Sequence, residues 1–324
     1  MDSESDIRAF FNPTSQLLHS PFLMNGMEHA VDVLNHVIAH GQKVMVFGDY
    51  DVDGTTATAM MSDFLLAMET PHEIYIPDRH REGYGLSVQA VESAIQMECK
   101  LLITLDCGIR ALEPVQLARA AGMKVIICDH HEPGPEAPKA NAILNPKKTN
   151  CGYPFKGLSG AGVTFKLIQA FFENQGHGWE SMEDYLDLLA ISTAADIVPV
   201  VDENRVLLIS GLSQLNKPQR REGIQELLVQ AKKEEGVLSM TDLVFVIAPR
   251  INAAGRLKSG ELAVNLLRTH RDSKSKRELA EILEKLNQTR RGLDTQIKVE
   301  ALEQLEINQH FGLTHSTVVY GDQW

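Results

Sequence analysis

Eight side chains in this sequence have the types and spacing to hold metal ions. Asp49, Asp51 and Asp53 stand in GDYDVDG directly after the apolar run VMVF; Asp106 follows LLITL; Asp129, His130 and His131 follow VIIC; and Asp196 follows a helical stretch ending in ISTAA. Six carboxylates gathered at one rim would repel one another and lose solvent, which raises their pKa values and costs stability. The arrangement becomes favourable once divalent cations sit among the acids. A mixed carboxylate and imidazole set suits Mn2+ or Mg2+, with manganese favoured by the nitrogen ligands. Two such ions about 3.5–4 Å apart clamp the attacking and leaving oxygens of an in-line displacement at phosphorus and activate a water as nucleophile. Asp106, a lone acid between two acidic clusters, is suited to give one oxygen to each ion. A single DxD is commonly just a solvated acidic turn, and a single HH pair says little. What points to a metal centre is the ordered series of strand-end DxDxDG, strand-end Asp, strand-end DHH and a further Asp.

Residues so far apart in the chain need a scaffold that brings them to one edge. Val44–Phe47, Glu73–Ile76, Leu101–Leu105 and Val125–Cys128 read as buried strands, with helical stretches at Thr55–Met68, Ser87–Met97 and Glu113–Ala121 between them. This alternation predicts an α/β fold, a parallel β-sheet flanked by helices and built from right-handed βαβ units. In such sheets the ligand site lies beyond the carboxyl ends of the strands, where three of the four acid clusters fall. KGLSGAGV at 156–163 predicts a tight loop feeding a helix N-terminus, Met182–Ala194 a further helix, 204–235 two short helices, and Arg250–Leu257 a glycine-containing loop. From Ser273 to about Leu305, the spacing of Leu279, Leu283, Leu286, Leu293 and Ile297 gives one apolar stripe on a long polar helix. The helix is expected to connect two domains with one face docked, because a strand-like run, Ser316–Tyr320, follows with too little chain after it to build a sheet. The expected organisation is a catalytic domain over 1–268 with a helical part from about 204, a connecting helix over 269–310, and the first strand of a truncated second domain over 311–324.

Composition narrows the class. The 324 residues are 44% hydrophobic and 23% charged, which is ordinary globular composition. A formal net charge of −12 argues against a surface coated in basic residues for nucleic acid, though a narrow basic groove is compatible with it. No apolar run reaches the roughly 20 residues a membrane helix needs, and the acidic start MDSESDIRAFF is unlike a signal peptide. A cytoplasmic location is the default expectation. Cys99, Cys107, Cys128 and Cys151 form no CxxC pair, so they read as small buried hydrophobes and not as a zinc site.

GDYDVDG at 48–54, LDCG at 105–108, DHH at 129–131 and AADIVP at 194–199 resemble the four motifs of the DHH phosphoesterase superfamily. PDRHREGYGL at 77–86, GLSGAGV at 157–163 and PRINAAGR at 249–256 resemble the RecJ exonucleases within it, and the similarity runs from near Asn12 to the last residue. The resemblance implies a single-strand-specific DNA exonuclease that digests from the 5′ end, releases 5′-mononucleotides, uses two Mn2+ or Mg2+ ions and serves recombination and repair. It implies Asp49, Asp51, Asp53, Asp106, His130 and Asp196 as metal ligands and His131 as the group facing the scissile phosphate. Asp129 then orients an imidazole. Asp49 either supplies a ligand or only supports the site, because Phe47 stands where many relatives carry a histidine. Such proteins continue into a glycine-rich, phosphate-contacting domain and often an OB-fold, so a chain ending at Trp324 is expected to bind metal but to have weak or no processive activity.

Further residues suit a phosphate backbone. Arg250 and Arg256 could fork phosphate oxygens and Asn252 could donate to them, although a helix cap with surface arginines is the plainer alternative. Arg79 could line a strand path and Tyr84 stack a base, or the two could belong to an ordinary loop. Ser159, Gly160 and Gly162 could offer backbone N–H groups to a phosphate. The expected partner is single-stranded DNA, with a single-strand-binding protein and a helicase as companions to a monomer, and no membrane. Two other readings compete. One is a phosphodiesterase or pyrophosphatase for small substrates, against which the arginine segment counts. The other is a non-catalytic DNA-binding scaffold, against which the complete set of acids counts.

Overall fold

The computed structural model describes residue 7, residues 10–269, 272–307 and 317–321, and residue 324. At its centre lies a parallel sheet of five strands, β1 Val44–Gly48, β2 His72–Tyr75, β3 Leu101–Leu105, β4 Lys124–Cys128 and β5 Ala142–Leu144, in the order β2-β1-β3-β4-β5. Helices α1 Met27–Ala39, α2 Val52–Ala67, α3 Val88–Gln96, α4 Leu112–Ala120 and α5 Gly160–Asn174 cover its faces. Strands β1 and β3 are buried throughout because both of their faces meet apolar layers. Val44, Val46, Leu101, Ile103 and Leu105 pack towards α1, α2 and α5, while Met45, Phe47 and Leu102 pack towards α3 and α4. Strand order reverses between β1 and β3. The chain therefore leaves β1 for one face and β3 for the other, which opens a crevice at their carboxyl ends.

The second half is helical: α6 Leu186–Ala195, α7 Asp202–Leu215, α8 Glu222–Gln230, α9 Ala248–Leu257, α10 Glu261–Leu267 and α11 Ser273–Ile307. One apolar cluster runs from the sheet through these helices to Ala280 and Leu283 of α11. Leu279 and Leu286 join it, but Leu293 is 44% exposed, so the stripe on α11 is covered only in its first half. All four cysteines are free and buried. Among the described residues no helix is long and apolar enough to cross a membrane.

Several features differ from the sequence expectation, among them the first part of the expected helix Met182–Ala194, which is a 3-10 turn up to Tyr185. Arg250–Leu257 is not a loop but α9, entered through a π-helical turn at Leu243–Ile247. Its Gly255 serves close approach and not a turn: a Cβ there would lie 2.1 Å from the Tyr50 carbonyl oxygen. Strand β5, only three residues long, is an addition to the expected four. Of the expected strand Ser316–Tyr320, Ser316 lies outside the described residues, and Thr317–Tyr320 carry no strand.

A buried polar knot ties the segment before α1 to α5 and α7. Lys166 Nζ stands 2.8 Å from Glu203 Oε2, both side chains fully buried. Tyr153 Oη donates to Glu203 Oε1 at 2.6 Å and Lys166 Nζ to the His19 carbonyl at 3.0 Å. Removing one partner strands the other charge away from water. Glu203→Gln is expected to lower unfolding stability by about 3–5 kcal/mol in urea titrations, and a loss below about 1 kcal/mol, the scale of an exposed pair, would contradict that picture.

Candidate metal centre

The centre forms where β1, β3 and β4 end. Asp49 leaves β1 with its backbone N–H still donating to the Leu105 carbonyl at 3.3 Å. Asp51 caps α2, accepting from the Gly54 N–H at 3.0 Å, which starts that helix three residues earlier than the apolar pattern suggests. Asp53 then sits in the first helical turn, buried. Asp106 adopts a left-handed backbone (φ 61°), a conformation Asp and Asn tolerate better than most residues. The turn aims its carboxylate into the crevice, and Gly160 gives it room, since a Cβ at Gly160 would stand 2.5 Å from Asp106 Cβ.

His130 is the hub. Its Nε2 lies 3.1 Å from Asp106 Oδ1, 3.6 Å from Asp196 Oδ2 and 3.8 Å from Asp53 Oδ2. Three sets of ligand atoms converge within 4.8 Å: Asp106 with His130 and His131, Asp53 with His130 and Asp196, and Asp49 with Asp51 and Asp106. Asp106 belongs to two of these sets. Asp49 Oδ1, Asp106 Oδ1, His130 Nε2 and Asp196 Oδ2 are buried and have no hydrogen-bond partner. A buried polar atom without a hydrogen bond costs about 1–3 kcal/mol, and here three carboxylate oxygens face one imidazole nitrogen, with His130 Nε2 beside Asp106 Oδ1, a place built for cations. Carboxylate oxygens with one imidazole nitrogen are the donor set of a divalent cation such as Mn2+ or Mg2+.

Electrostatics agree. Burial, then the neighbouring Asp51 charge, push the Asp49 carboxyl up to about 7. Burial and Asp53 push Asp196 up to about 8. Burial first, and then Asp53, Asp51 and Asp49, hold Asp106 well above the carboxylate range. Burial lowers His130. The carboxyl shifts are those of buried acids crowded by other acids.

Asp129 behaves differently. Burial would raise it, but the His131 hydrogen bonds and the Ile109 N–H outweigh burial and bring it below the usual range. Its Oδ1 accepts from the His130 and His131 backbone N–H groups at 2.7 and 3.0 Å and lies 2.8 Å from His131 Nδ1. Its Oδ2 accepts from Ile109 N–H at 2.9 Å. The carboxylate fixes the turn and raises the His131 imidazole above its ordinary value. His131 is 44% exposed at the mouth, beside Tyr84, whose hydroxyl donates to the Asp106 carbonyl at 3.3 Å.

Sequence reasoning missed what holds Asp53. Gly160 and Ala161 N–H groups donate to its two oxygens at 2.6 and 2.8 Å, and Ser192 Oγ donates at 2.5 Å. The expectation that Ser159, Gly160 and Gly162 meet an external phosphate is corrected accordingly. The helix N-terminus binds a carboxylate of its own chain, and the Gly162 N–H is engaged by Ser159 Oγ at 3.1 Å. Arg250 also points elsewhere, pairing with Glu284 of α11 at 2.6 Å, so a phosphate would have to displace that carboxylate. Arg79 lies over the Tyr50 ring at 5.3 Å, and Arg256 is exposed on the same side, its carbonyl 3.2 Å from His80 Nε2. Asn252 is half-buried on α9.

Comparison with known proteins places this geometry. The DHH family, N-terminal domain, matches residues 43–193. A crystal structure described as exonuclease RecJ bound to manganese superposes with a TM-score of 0.79 at 32% identity, covering 90% of this chain and 72% of that one. The chain belongs to the RecJ family. A RecJ from Thermus thermophilus in complex with Mn2+ also superposes at a TM-score of 0.79, with 29% identity over 92% of this chain and 42% of that one. Among curated proteins, the single-stranded-DNA-specific exonuclease RecJ of Bacillus subtilis is 39% identical over 305 residues, 94% of this chain. That of Escherichia coli is 35% identical over 314 residues, 93% of this chain. The chain spans 38% and 54% of those two proteins' lengths.

Proposed function

We propose that this chain carries the catalytic centre of a metal-dependent phosphodiesterase that degrades single-stranded DNA from its 5′ end and releases 5′-mononucleotides in recombination and repair. The observation that carries the reading is the convergence of buried ligand atoms on Asp49, Asp106, His130 and Asp196 that make no hydrogen bond. RecJ relatives named as single-stranded-DNA-specific exonucleases, and RecJ structures holding Mn2+, support the substrate and the metal.

Asp49, Asp51, Asp53, Asp106, His130 and Asp196 would hold two ions, with Asp106 between them. Such ions supply Lewis-acid activation of water and neutralise charge gathering on the phosphate oxygens. The chain's own residues do the rest. Gly160, Ala161 and Ser192 keep the Asp53 carboxylate aimed inward. Asp129 locks the His131 ring through one nitrogen, leaving the exposed face to donate a proton or hydrogen bond to the scissile phosphate. Tyr84 borders that path. The same reading assigns Arg79, Asn252 and Arg256 to the path of the strand leaving the centre. A single-strand-binding protein and a helicase as companions, and a monomeric state, belong to the same reading, as does a catalytic body ending near residue 268.

The decisive assay uses 5′-labelled and 3′-labelled single strands with manganese, beside a dinucleotide and pyrophosphate. Label released first as mononucleotide from the 5′-labelled strand is expected. Turnover confined to the dinucleotide or pyrophosphate would overturn the reading in favour of a small-substrate enzyme. Arg256→Ala is expected to weaken single-strand binding and to flatten the dependence of log affinity on log salt by about 0.7, the share of one phosphate contact. An unchanged slope would remove Arg256 from the strand path.

A further inference from the structure

Towards the far end of α5 from the metal centre lies a cavity of about 380 Å3, between that helix, the segment before α1 and the 3-10 turn that begins at Trp179. Gln169 reaches it from nine residues along α5 beyond Gly160, about 13.5 Å from the N–H groups that hold Asp53. Phe172, His177 and Trp179 bring three aromatic rings to its lining, and Met182 a buried apolar side chain. The Phe172 and His177 rings meet edge to face, their centroids 5.8 Å apart. Two acceptors stand among these rings. Gln169 is only 8% exposed; its Nε2 donates to Glu173 Oε1 at 2.8 Å, while its Oε1 is buried and makes no hydrogen bond. Glu173 is exposed in the last turn of α5, which holds no basic residue, so the negative end of the helix dipole is uncompensated there. Among the described residues that line the cavity there is no lysine or arginine.

We propose that this cavity binds a guanidinium group, carried by free arginine or by an arginine side chain of a partner protein. Each part of the site asks for one property of the occupant. The Gln169 oxygen, buried without a hydrogen bond, asks for a donor. The Glu173 carboxylate and the helix end ask for positive charge. The rings of Phe172 and Trp179 ask for a cation with a flat face to lie against them. A guanidinium joins all three, because it is planar, always charged, weakly hydrated and carries five N–H donors in a fork. A metal ion would find one carboxylate and no use for the rings. A neutral ligand would satisfy Gln169 and leave Glu173 and the helix end without a counter-charge. The site stands apart from the acids at the sheet's rim and does not depend on what they do.

The test follows tryptophan fluorescence. The chain has two tryptophans, so a Trp324→Phe background leaves Trp179, on the cavity wall, as the reporter. The probes are N-acetyl-arginine amide, its uncharged isostere N-acetyl-citrulline amide, N-acetyl-lysine amide and free arginine. The arginine amide is expected to bind about 10-fold or more tighter than the citrulline amide, the scale of a hydrogen bond gained by a charged donor, and roughly 3-fold tighter than the lysine amide, which has no plane to stack. Free arginine binding above the amide identifies a metabolite as the source, and the reverse order an arginine within a polypeptide; either supports the guanidinium site. Glu173→Gln removes the charge from an exposed position, and Gln169→Met removes the buried acceptor at similar length. Each is expected to cut the advantage of arginine over citrulline to roughly 2-fold or less. Should Gln169→Met fail to fold, Glu173→Gln decides alone. Equal binding of the arginine amide and either the citrulline or the lysine amide, or an advantage over citrulline that survives Glu173→Gln, overturns the proposal.

Discussion

Asp106→Asn is expected to raise the melting temperature of the metal-free protein and to abolish the further rise that manganese gives the wild type. The two effects have one cause. Burial, then Asp53, Asp51 and Asp49, hold the Asp106 carboxyl well above the carboxylate range, so folding without metal must neutralise it or bear the repulsion, and Asn removes that cost without changing the side chain's shape. Asn is the clean replacement because it accepts the left-handed backbone that Asp106 adopts, where alanine would cost about 1–2 kcal/mol. With metal the sign reverses. An ion at 100 times its dissociation constant stabilises the wild type by about 2.7 kcal/mol, and Asp106, which belongs to two of the three converging sets, is the carboxylate whose loss weakens both positions. Paired melting curves with and without MnCl2 check this. A manganese shift of wild-type size in the variant would mean that Asp106 is not shared between ions.

His131→Ala is expected to leave the manganese shift in place while lowering strand cleavage by about 10^2–10^4-fold, the range of a lost proton donor. The fold should tolerate the change. Asp129 Oδ1 keeps the backbone N–H groups of residues 130 and 131 at 2.7 and 3.0 Å, and its Oδ2 keeps Ile109. His130, buried and central, is untouched. Single-turnover rates set against melting curves separate chemistry from binding. Cleavage within about threefold of wild type would exclude His131 from the reaction.

The acids were legible in the sequence because a buried parallel strand announces itself as an uninterrupted apolar run, and whatever follows must lie on the sheet's carboxyl rim. That logic located Asp49, Asp106 and Asp129 directly, and the four expected strands all exist within a residue of their reading. It could not locate β5, because Ala142–Leu144 is too short to show a pattern and gains its identity only by pairing with β4. Nor could it show that the N–H groups of Gly160 and Ala161 serve Asp53. Glycines ahead of a helix look the same whether they face a ligand or a carboxylate from a distant part of the chain. Arg250–Leu257 misled for a related reason. Gly255 looks like a breaker locally, and only the pressure of Tyr50 against it explains a glycine inside a helix.

That contact also has a mechanical side. Helix α9 is clamped near one end by the Arg250–Glu284 pair to the long helix and presses with Gly255 on the Tyr50 carbonyl, between Asp49 and Asp51. Five residues of helix, about 7.5 Å, separate the two attachment points. One short helix thus joins the long helix to the acid-bearing loop. A larger residue at position 255 would have to displace the Tyr50 carbonyl, and with it the backbone between Asp49 and Asp51.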